Sequence, residues 1–457
     1  MSRPSELAEA STAEAPTPIR GVDWMAPFEP DASHPFDLAA AGHLTDRIAL
    51  GASLTERRRL VDMGVEAAVP RVLGPLDPGH PDRAARIAAA LQSRERVQQH
   101  RMLQLLEAKR PLLNRMTLFW HDHFATSDAK VNDPQQMAMQ LATFDRHGLG
   151  RFDDLLLAVA QDPAMLRWLD NDTNLKGAPN ENFARELFEL FALGRGGGYT
   201  EDDIREAARA FTGWRTRDGR FHLDGRRHDR GEKTVLGKTG NLEGEHVVQL
   251  AVQHPDSPGF LARKWLQEFV HPAPPPEEVA ALAEVYRKQD RHVGRTLLVL
   301  FQSRLFFSAR ARRSRIKSPI EFVVCTIRRL GARCAPAFAE RAAARIGQAW
   351  LEPPSVEGWP RHTAWLNSAT WRLRNRFAAR LSQGYGNLRP KPDALLERLR
   401  TPEARVELVA NMLLDGQLTD GERERLLAIA KDPVSEGPGG PGFLCHAALS
   451  LPQVQRI

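Results

Sequence analysis

The sequence predicts a mainly α-helical protein, one large multi-helix domain with a small β-hairpin inserted near residues 215–237, and three observations support this. Apolar residues recur at helical spacing from about residue 31 almost to the C-terminus. Helix punctuation is frequent. Asp162-Pro163, Ser257-Pro258 and Ser318-Pro319 each set a capping side chain before a proline suited to a first turn, and Gly148 and Gly331 stand where left-handed C-terminal caps are expected. One stretch breaks the rhythm: residues 215–237, RTRDGRFHLDGRRHDRGEKTVLG, carry Asp-Gly turns around short alternating runs, the pattern of a hairpin.

At 457 residues and 42% apolar, the chain can bury a sizeable core, and 20 Phe and 9 Trp spread along it supply an anchor for most helices. Residues 1–30, rich in Pro, Ala and Glu, read as a flexible leader, and 31–457 as a single helical domain. The stretch HPAPPPEE, 271–278, is too proline-rich for a helix and is where the domain would divide into subregions 31–270 and 279–457. Residues 433–442 are a further irregular stretch. Asn180 is expected to cap a helix through 180–194 (NENFARELFELFALG), and Thr200 with Asp203 to form a capping box for a helix ending at Gly213.

Composition excludes several classes. Lys plus Arg exceed Asp plus Glu by only 63 to 57, which calls for no polyanionic partner. The densest basic run, RARRSRIK at 310–317, lacks interleaved aromatics and reads as a solvated face or a helix-end cluster, so nucleic-acid binding is not expected. Three cysteines without a CxxC pair exclude a disulfide framework and a zinc ribbon. With no apolar run of membrane-span or signal-peptide length, the expectation is a soluble, cytoplasmic protein.

Five segments hold residues suited to chemistry. In FWHDHFAT, 119–126, His121 and His123 would point about 200° apart on a helix but share a face in an extended segment, where an HxH pair is a common donor set for zinc, iron or manganese; packed core histidines are the alternative. In 180–194, Asn182, Glu186 and Glu189 gather opposite Phe183, Leu187, Leu190 and Phe191. The resulting carboxylate stripe could ligate a metal, act as acid and base, or be a solvated face beside Arg185. In YTEDDIREAARAFTGW, 199–214, Arg205 and Arg209 are placed to pair with Glu186 and Glu189, which would favour an ion-pair network over a metal site. In HDRGEKTVLG, 228–237, His228, Asp229 and Lys233 add an imidazole, a carboxylate and a cation, while Gly237-Lys238-Thr239 fails the phosphate-loop pattern because Glu232 stands where a glycine is required. In PPSVEGWPRHTAWL, 353–366, Trp359 and Trp365 on a stiff loop would wall a pocket or plug the core. Neither GxSxG nor HExxH occurs.

These segments in order, with the Lys-Ser-Pro of IKSPIEFV, resemble the linear hallmarks of the bacterial domain of unknown function 1800 family, over roughly residues 35–455. The resemblance implies a helix-rich fold and marks His121, His123, Asn180, Glu181, Asn182, Arg185, Glu186, Glu189, His228, Asp229, Lys233, Gly358 and Trp359 as family positions; it transfers no reaction. It also implies a partner, since genes of the family are often found beside those of a domain of unknown function 1501 family, whose members resemble sulfatases or alkaline phosphatases. Two departures stand out: many relatives carry histidine at the position of Phe191, and many are exported.

The reading that follows is a metal-dependent enzyme, a hydrolase or an oxidoreductase. His121, His123, Glu186 and His228 would hold a divalent ion (Zn, Mn or Fe), with Arg185, Glu186, Glu189, His228, Asp229 and Lys233 as catalytic candidates and Asn180, Asn182, Trp120, Trp214 and Trp359 lining the substrate pocket. The alternative is a non-catalytic helical scaffold or binding partner of a 1501-type protein, the same residues forming an internal hydrogen-bonded network.

Overall fold

Caps decide where the helices begin. Ser318 caps Pro319–Arg329 in a box with Glu321, Thr200 caps Glu201–Ala210 in a box with Asp203, and Asp162 caps Pro163–Trp168 through the Met165 N–H. At the third expected start the cap lies one residue earlier: Asp256 precedes the Ser257–Phe269 helix, whose first turn holds Pro258. The computed structural model describes residues 23–77, 81–384, 396, 399–432 and 440–457, and they are mainly helical throughout. Of the expected leader only residues 23–30 are described, and they are tied down. Phe28 stacks on Phe307, its N–H donates to the Gln302 carbonyl, and Trp24 lies under Arg310. The irregular stretch expected at 433–442 falls mostly outside the described residues.

The Pro111–His123 helix is central, packed against Leu38–Ala49, Val65–Leu73, Arg94–Glu107 and Pro134–His147. One hydrophobic cluster runs from Phe36 to Ile457 and includes residues on both sides of the proline-rich stretch. That stretch is a tight corner: Ser257–Phe269 and Pro276–Lys288 pack on each other across it, and His271 bonds Glu278 at 3.0 Å. Buried ion pairs bind distant segments together. Arg329 bridges Asp46 and Asp415, and Asp415 also takes Arg57.

Two local expectations are corrected and a third is extended. Gly148 ends its helix with φ −65°, in the right-handed region; glycine is needed there for space, because a Cβ would lie 2.5 Å from the Phe144 carbonyl and 2.8 Å from the Trp120 ring. Gly331, with φ 60°, is left-handed as expected. The expected hairpin is present, and a second follows it. Trp214–Arg217 pairs with Arg220–Leu223 across Asp218-Gly219, and Lys233–Val235 with Lys238–Gly240 across Leu236-Gly237. In the second turn the left-handed position is held by Leu236, φ 49°, which carries no turn signal in the sequence. Finally, the 310–317 run is drawn into the interior. Arg310 pairs with Glu278, Arg313 with Asp415 and Arg315 with Glu321, and Lys317 donates to the Val454 carbonyl. Carboxylates and carbonyls from later and earlier segments outcompete water for these cations.

Candidate functional site

The FWHDH segment is the last turn of the Pro111–His123 helix, so consecutive side chains leave it in different directions. His121 is buried, stacked on Trp350 with centroids 5.8 Å apart, and its Nε2 accepts from the Leu351 N–H at 3.0 Å. Burial, with Arg101 adding, pushes its pKa down to about 3, which keeps the ring neutral. Asp122 faces the 353–366 loop: it accepts from the Trp359 N–H at 2.8 Å and from Arg361 at 2.5 Å. Gly358, φ 90°, permits this approach, since a Cβ there would collide with the Asp122 carboxylate. His123 points to a third neighbour, its Nε2 to the Phe191 carbonyl (3.1 Å) and its Nδ1 to Lys264 Nζ (3.0 Å).

That neighbour differs from the helix expected at 180–194. Asn182–Glu186 is α-helical, with Asn180 bonding the Asn182 N–H from just before it, but Leu187–Ala192 is a π-helix. A wider turn shifts each carbonyl's partner by one residue. At this turn the Leu190 carbonyl accepts from Lys264 (3.2 Å) and the Phe191 carbonyl from His123. Lys264 on the Ser257–Phe269 helix therefore bonds an imidazole and a carbonyl, with its amine 4.9 Å from the Phe260 ring centre. Burial pushes this amine down to about 7, with Arg361 adding and Asp122 opposing.

Beside this pair lies a small cavity of about 40 Å³, lined by Arg115, Phe119, Asp122, Gln267, Glu268, Arg315, Ser318, Glu321, Gln348, His362 and the 359–361 and Trp365 walls. Its charges balance. Arg115 reaches both Glu268, at 2.5 Å, and Glu321, and Arg315 also pairs with Glu321. Burial alone would raise Glu268, but Arg115 and Arg315 hold it below the usual carboxylate range. His362 lines the same space with a buried Nδ1 that has no partner; burial, then Arg315 and Arg361, push its pKa down to about 4. The volume suits one or two waters.

The profile of the family described as "Protein of unknown function (DUF1800)" matches residues 43–456. The chain belongs to the DUF1800 family. No curated protein and no solved structure matches it. Of the DUF1800-like segments, 119–126, 316–323 and 353–366 meet at the cavity, and 180–194 touches the first through His123, while Arg195, just after it, pairs with Glu357 of the last.

The other DUF1800 positions form a separate clasp. His228 is buried, its Nδ1 bonded to the Thr212 carbonyl at 2.8 Å. Asp229 pairs with Arg209, and Lys233 Nζ donates to the Asp229 and Gly231 carbonyls, closing the hairpin connection. Arg205 and Arg209 do not reach the carboxylate stripe: Arg205 pairs with Asp202, and Arg209 with Glu206 and Asp229, next to it on its own helix and hairpin. Glu189 instead lies 3.5 Å from both Arg185 and Arg195, and Arg185 bonds Glu181 and Glu201. Glu186 is half-buried, its pKa raised by burial and by Glu189. Among the described residues, no group of three or more His, Cys, Asp or Glu side chains is placed to hold a metal ion. The expected set His121, His123, Glu186 and His228 does not converge, because the first two leave one helix on different sides and His228 is held in the clasp. Of the expected pocket residues Trp359 lines the cavity. Trp120 bonds the Gly148 carbonyl inside the core, Trp214 packs between Phe211 and Phe221, and Asn182 bonds the Leu169 carbonyl. Sequence reasoning missed Lys264, Glu268 and Arg115, which sit in amphipathic sequence with no local spacing to mark them, and passed over Arg361 although it lies within the 353–366 segment it had singled out.

Proposed function

We propose that this DUF1800 protein is an enzyme that transfers protons at Lys264, to or from a substrate oxygen that takes the place of the one or two waters the adjoining charged cavity can hold. The observation that carries the reading is the meeting of three distant segments, 119–126, 316–323 and 353–366, around one polar cavity beside a lysine that, among the described residues, bonds no carboxylate. A general acid or base works best with a pKa near the operating pH, and an amine poised at about 7 meets that condition. Neutral His123, anchored by Nε2 to the Phe191 carbonyl, accepts from the amine at Nδ1 and holds it in place, while Arg361, paired with Asp122, and Gln267 offer donors to a substrate oxygen. The test is a panel of esters, phosphate esters and glycosides assayed with wild type, Lys264→Met and Asp122→Asn, alongside competitive labelling of Lys264 across pH. Expected are turnover that falls by about a hundredfold or more in Lys264→Met at an unchanged melting temperature, and a labelling midpoint near 7. A midpoint near the ordinary lysine value, or turnover indifferent to the substitution, overturns the reading.

A metal-dependent hydrolase or oxidoreductase is a second reading, favoured by one observation: His121 Nδ1 and His228 Nε2 are buried without partners. Metal analysis of protein purified without added ions decides it. Stoichiometric zinc, manganese or iron whose chelation lowers the melting temperature supports it, and its absence leaves both rings as packing groups. A non-catalytic scaffold that binds a 1501-type protein is supported by the way His121, Asp122 and His123 clamp three segments. It requires that Lys264→Met unfold the chain and that the two proteins co-purify.

A further inference from the structure

The first hairpin carries an arginine face. Its register sets Arg217 directly opposite Arg220 and Arg215 opposite His222, and residues opposite one another or two apart along a strand share a face, so these four side chains stand together. The other face, with Trp214, Thr216 and Phe221, turns to the protein. Trp214 is buried, and its ring meets Phe211 and Phe221 edge to face, 5.1 and 5.0 Å between centroids. That anchoring leaves the tip in solvent: Arg217, Arg220 and His222 are exposed, Arg215 is half-buried, and a Cβ at Gly219 would have nothing within 4 Å. Past the second strand Arg226, Arg227 and Arg230 are exposed as well. The Lys176 N–H on the Arg227 carbonyl, 2.8 Å, brings one more exposed cation alongside.

Cations outnumber carboxylates here. Residues 214–230 hold six arginines and three aspartates. Asp229 is taken up by Arg209; Asp224 lies 3.3 Å from Arg227, and Asp218 at the exposed tip 3.9 Å from Arg217, pairs of little strength in open solvent. Arg215, Arg220, Arg226, Arg230 and Lys176 pair with no carboxylate among the described residues. Neither half-buried Asp172, on the turn packed against the first strand, nor exposed Glu232 forms an ion pair with any of them. Like charges directly across a strand pair weaken it, and a ribbon serving the fold alone would set a carboxylate opposite each arginine. The excess suits a polyanion. Guanidinium forks take phosphate oxygens in a bidentate way, and a two-stranded ribbon has the width that a duplex major groove admits. We propose that this hairpin docks on double-stranded nucleic acid, Arg215, Arg217 and Arg220 entering the groove and Arg226, Arg230 and Lys176 meeting the phosphates beside it. Single strands are the poorer partner, because they need stacking platforms and the Trp214 and Phe221 rings face the protein. So is a bilayer: of the exposed large hydrophobics among the described residues, Leu223 alone lies on the ribbon. The 310–317 run, drawn into the interior, takes no part, and the ribbon is separate from the cavity beside Lys264.

The test is fluorescence anisotropy of a labelled DNA duplex of about 20 base pairs, titrated with the full chain over a range of salt, with its single strand, heparin and polyglutamate as comparisons. Expected is duplex binding tighter than single-strand binding, with a log–log salt slope of about −3 or steeper, as neutralising three or more phosphates requires. R217A/R220A weakens binding about tenfold or more and makes the slope shallower by about two, at an unchanged melting temperature. R58A/R59A, which removes the same charge from exposed positions of the Leu54–Met63 helix, leaves binding as it was. No salt-dependent binding to the duplex, binding that R217A/R220A retains, an equal loss in R58A/R59A, a single strand bound as tightly as the duplex, or heparin or polyglutamate bound with none of the duplex would each overturn the proposal.

Discussion

His121 shows how burial decides a side chain's chemistry. The unfolded chain binds a proton on this ring near pH 6.5, whereas the folded protein does so only near 3. The stability His121 contributes is therefore complete above pH 6.5 and is lost as pH falls toward 3, by up to about 1.4 kcal/mol per pH unit for a single group. His123 and His43 are shifted the same way, each first by burial and then by a neighbouring cation, Lys264 for His123 and Arg47 for His43. Asp162 works against them. Burial raises its pKa to about 7, so its contribution falls as pH rises from the ordinary carboxylate value to 7. Glu186 and Glu340 are raised like Asp162, but more imidazoles are shifted down than carboxyls up, so urea unfolding should show lower stability at pH 5 than at 7.5. His121→Gln, which keeps an acceptor for the Leu351 N–H, should flatten that slope; an unchanged slope would mean that the ring is protonated or solvated in the native state.

Among the elements, the π-turn at Leu187–Ala192 and the helix end at Gly148 place the neighbours of the central helix. The π-turn aims two carbonyls at His123 and Lys264, an arrangement not visible in NENFARELFELFALG because its apolar spacing fits an ordinary α-helix. Phe183, Leu187 and Phe191 are buried as that spacing requires, and Phe188 is buried with them. At Gly148 the chain passes against Trp120, whose Nε1 donates to the Gly148 carbonyl at 2.8 Å. Gly148→Ala should destabilise the protein by about 1–3 kcal/mol in urea melts, since the methyl must displace either the indole or the Phe144 carbonyl. A loss below a few tenths of a kcal/mol would mean that the two helices are free to separate there.

For the whole molecule, the single hydrophobic cluster crossing the 271–278 corner is the governing fact. The Leu38–Ala49 helix donates Arg47 to the Glu268 and Val270 carbonyls on one side of that corner and to the Ala311 carbonyl on the other. A chain cut between residues 272 and 276 should thus yield halves that do not fold when expressed singly and that co-purify when expressed together. Circular dichroism with a cooperative melt for either half alone would contradict this.

The mainly helical architecture, the capping positions Ser318, Thr200 and Asp162, the hairpin region and the family were legible from sequence, because each is written in residues near one another in the chain. Even there a second hairpin turn built on Leu236 escaped, since a bulky residue with positive φ is imposed by its surroundings: its N–H bonds Asp203, far away in sequence. The partners of charged groups were decided by tertiary structure alone. Arg205 and Arg209 were within reach of several carboxylates by local spacing, and only packing chose Asp202, Glu206 and Asp229. Likewise Asp122, Glu268 and Arg361 come from three segments with no shared pattern, and what brings them to one cavity, with Lys264 beside it, is the burial of the apolar faces behind them, a sum over the whole core that no single stretch of sequence carries.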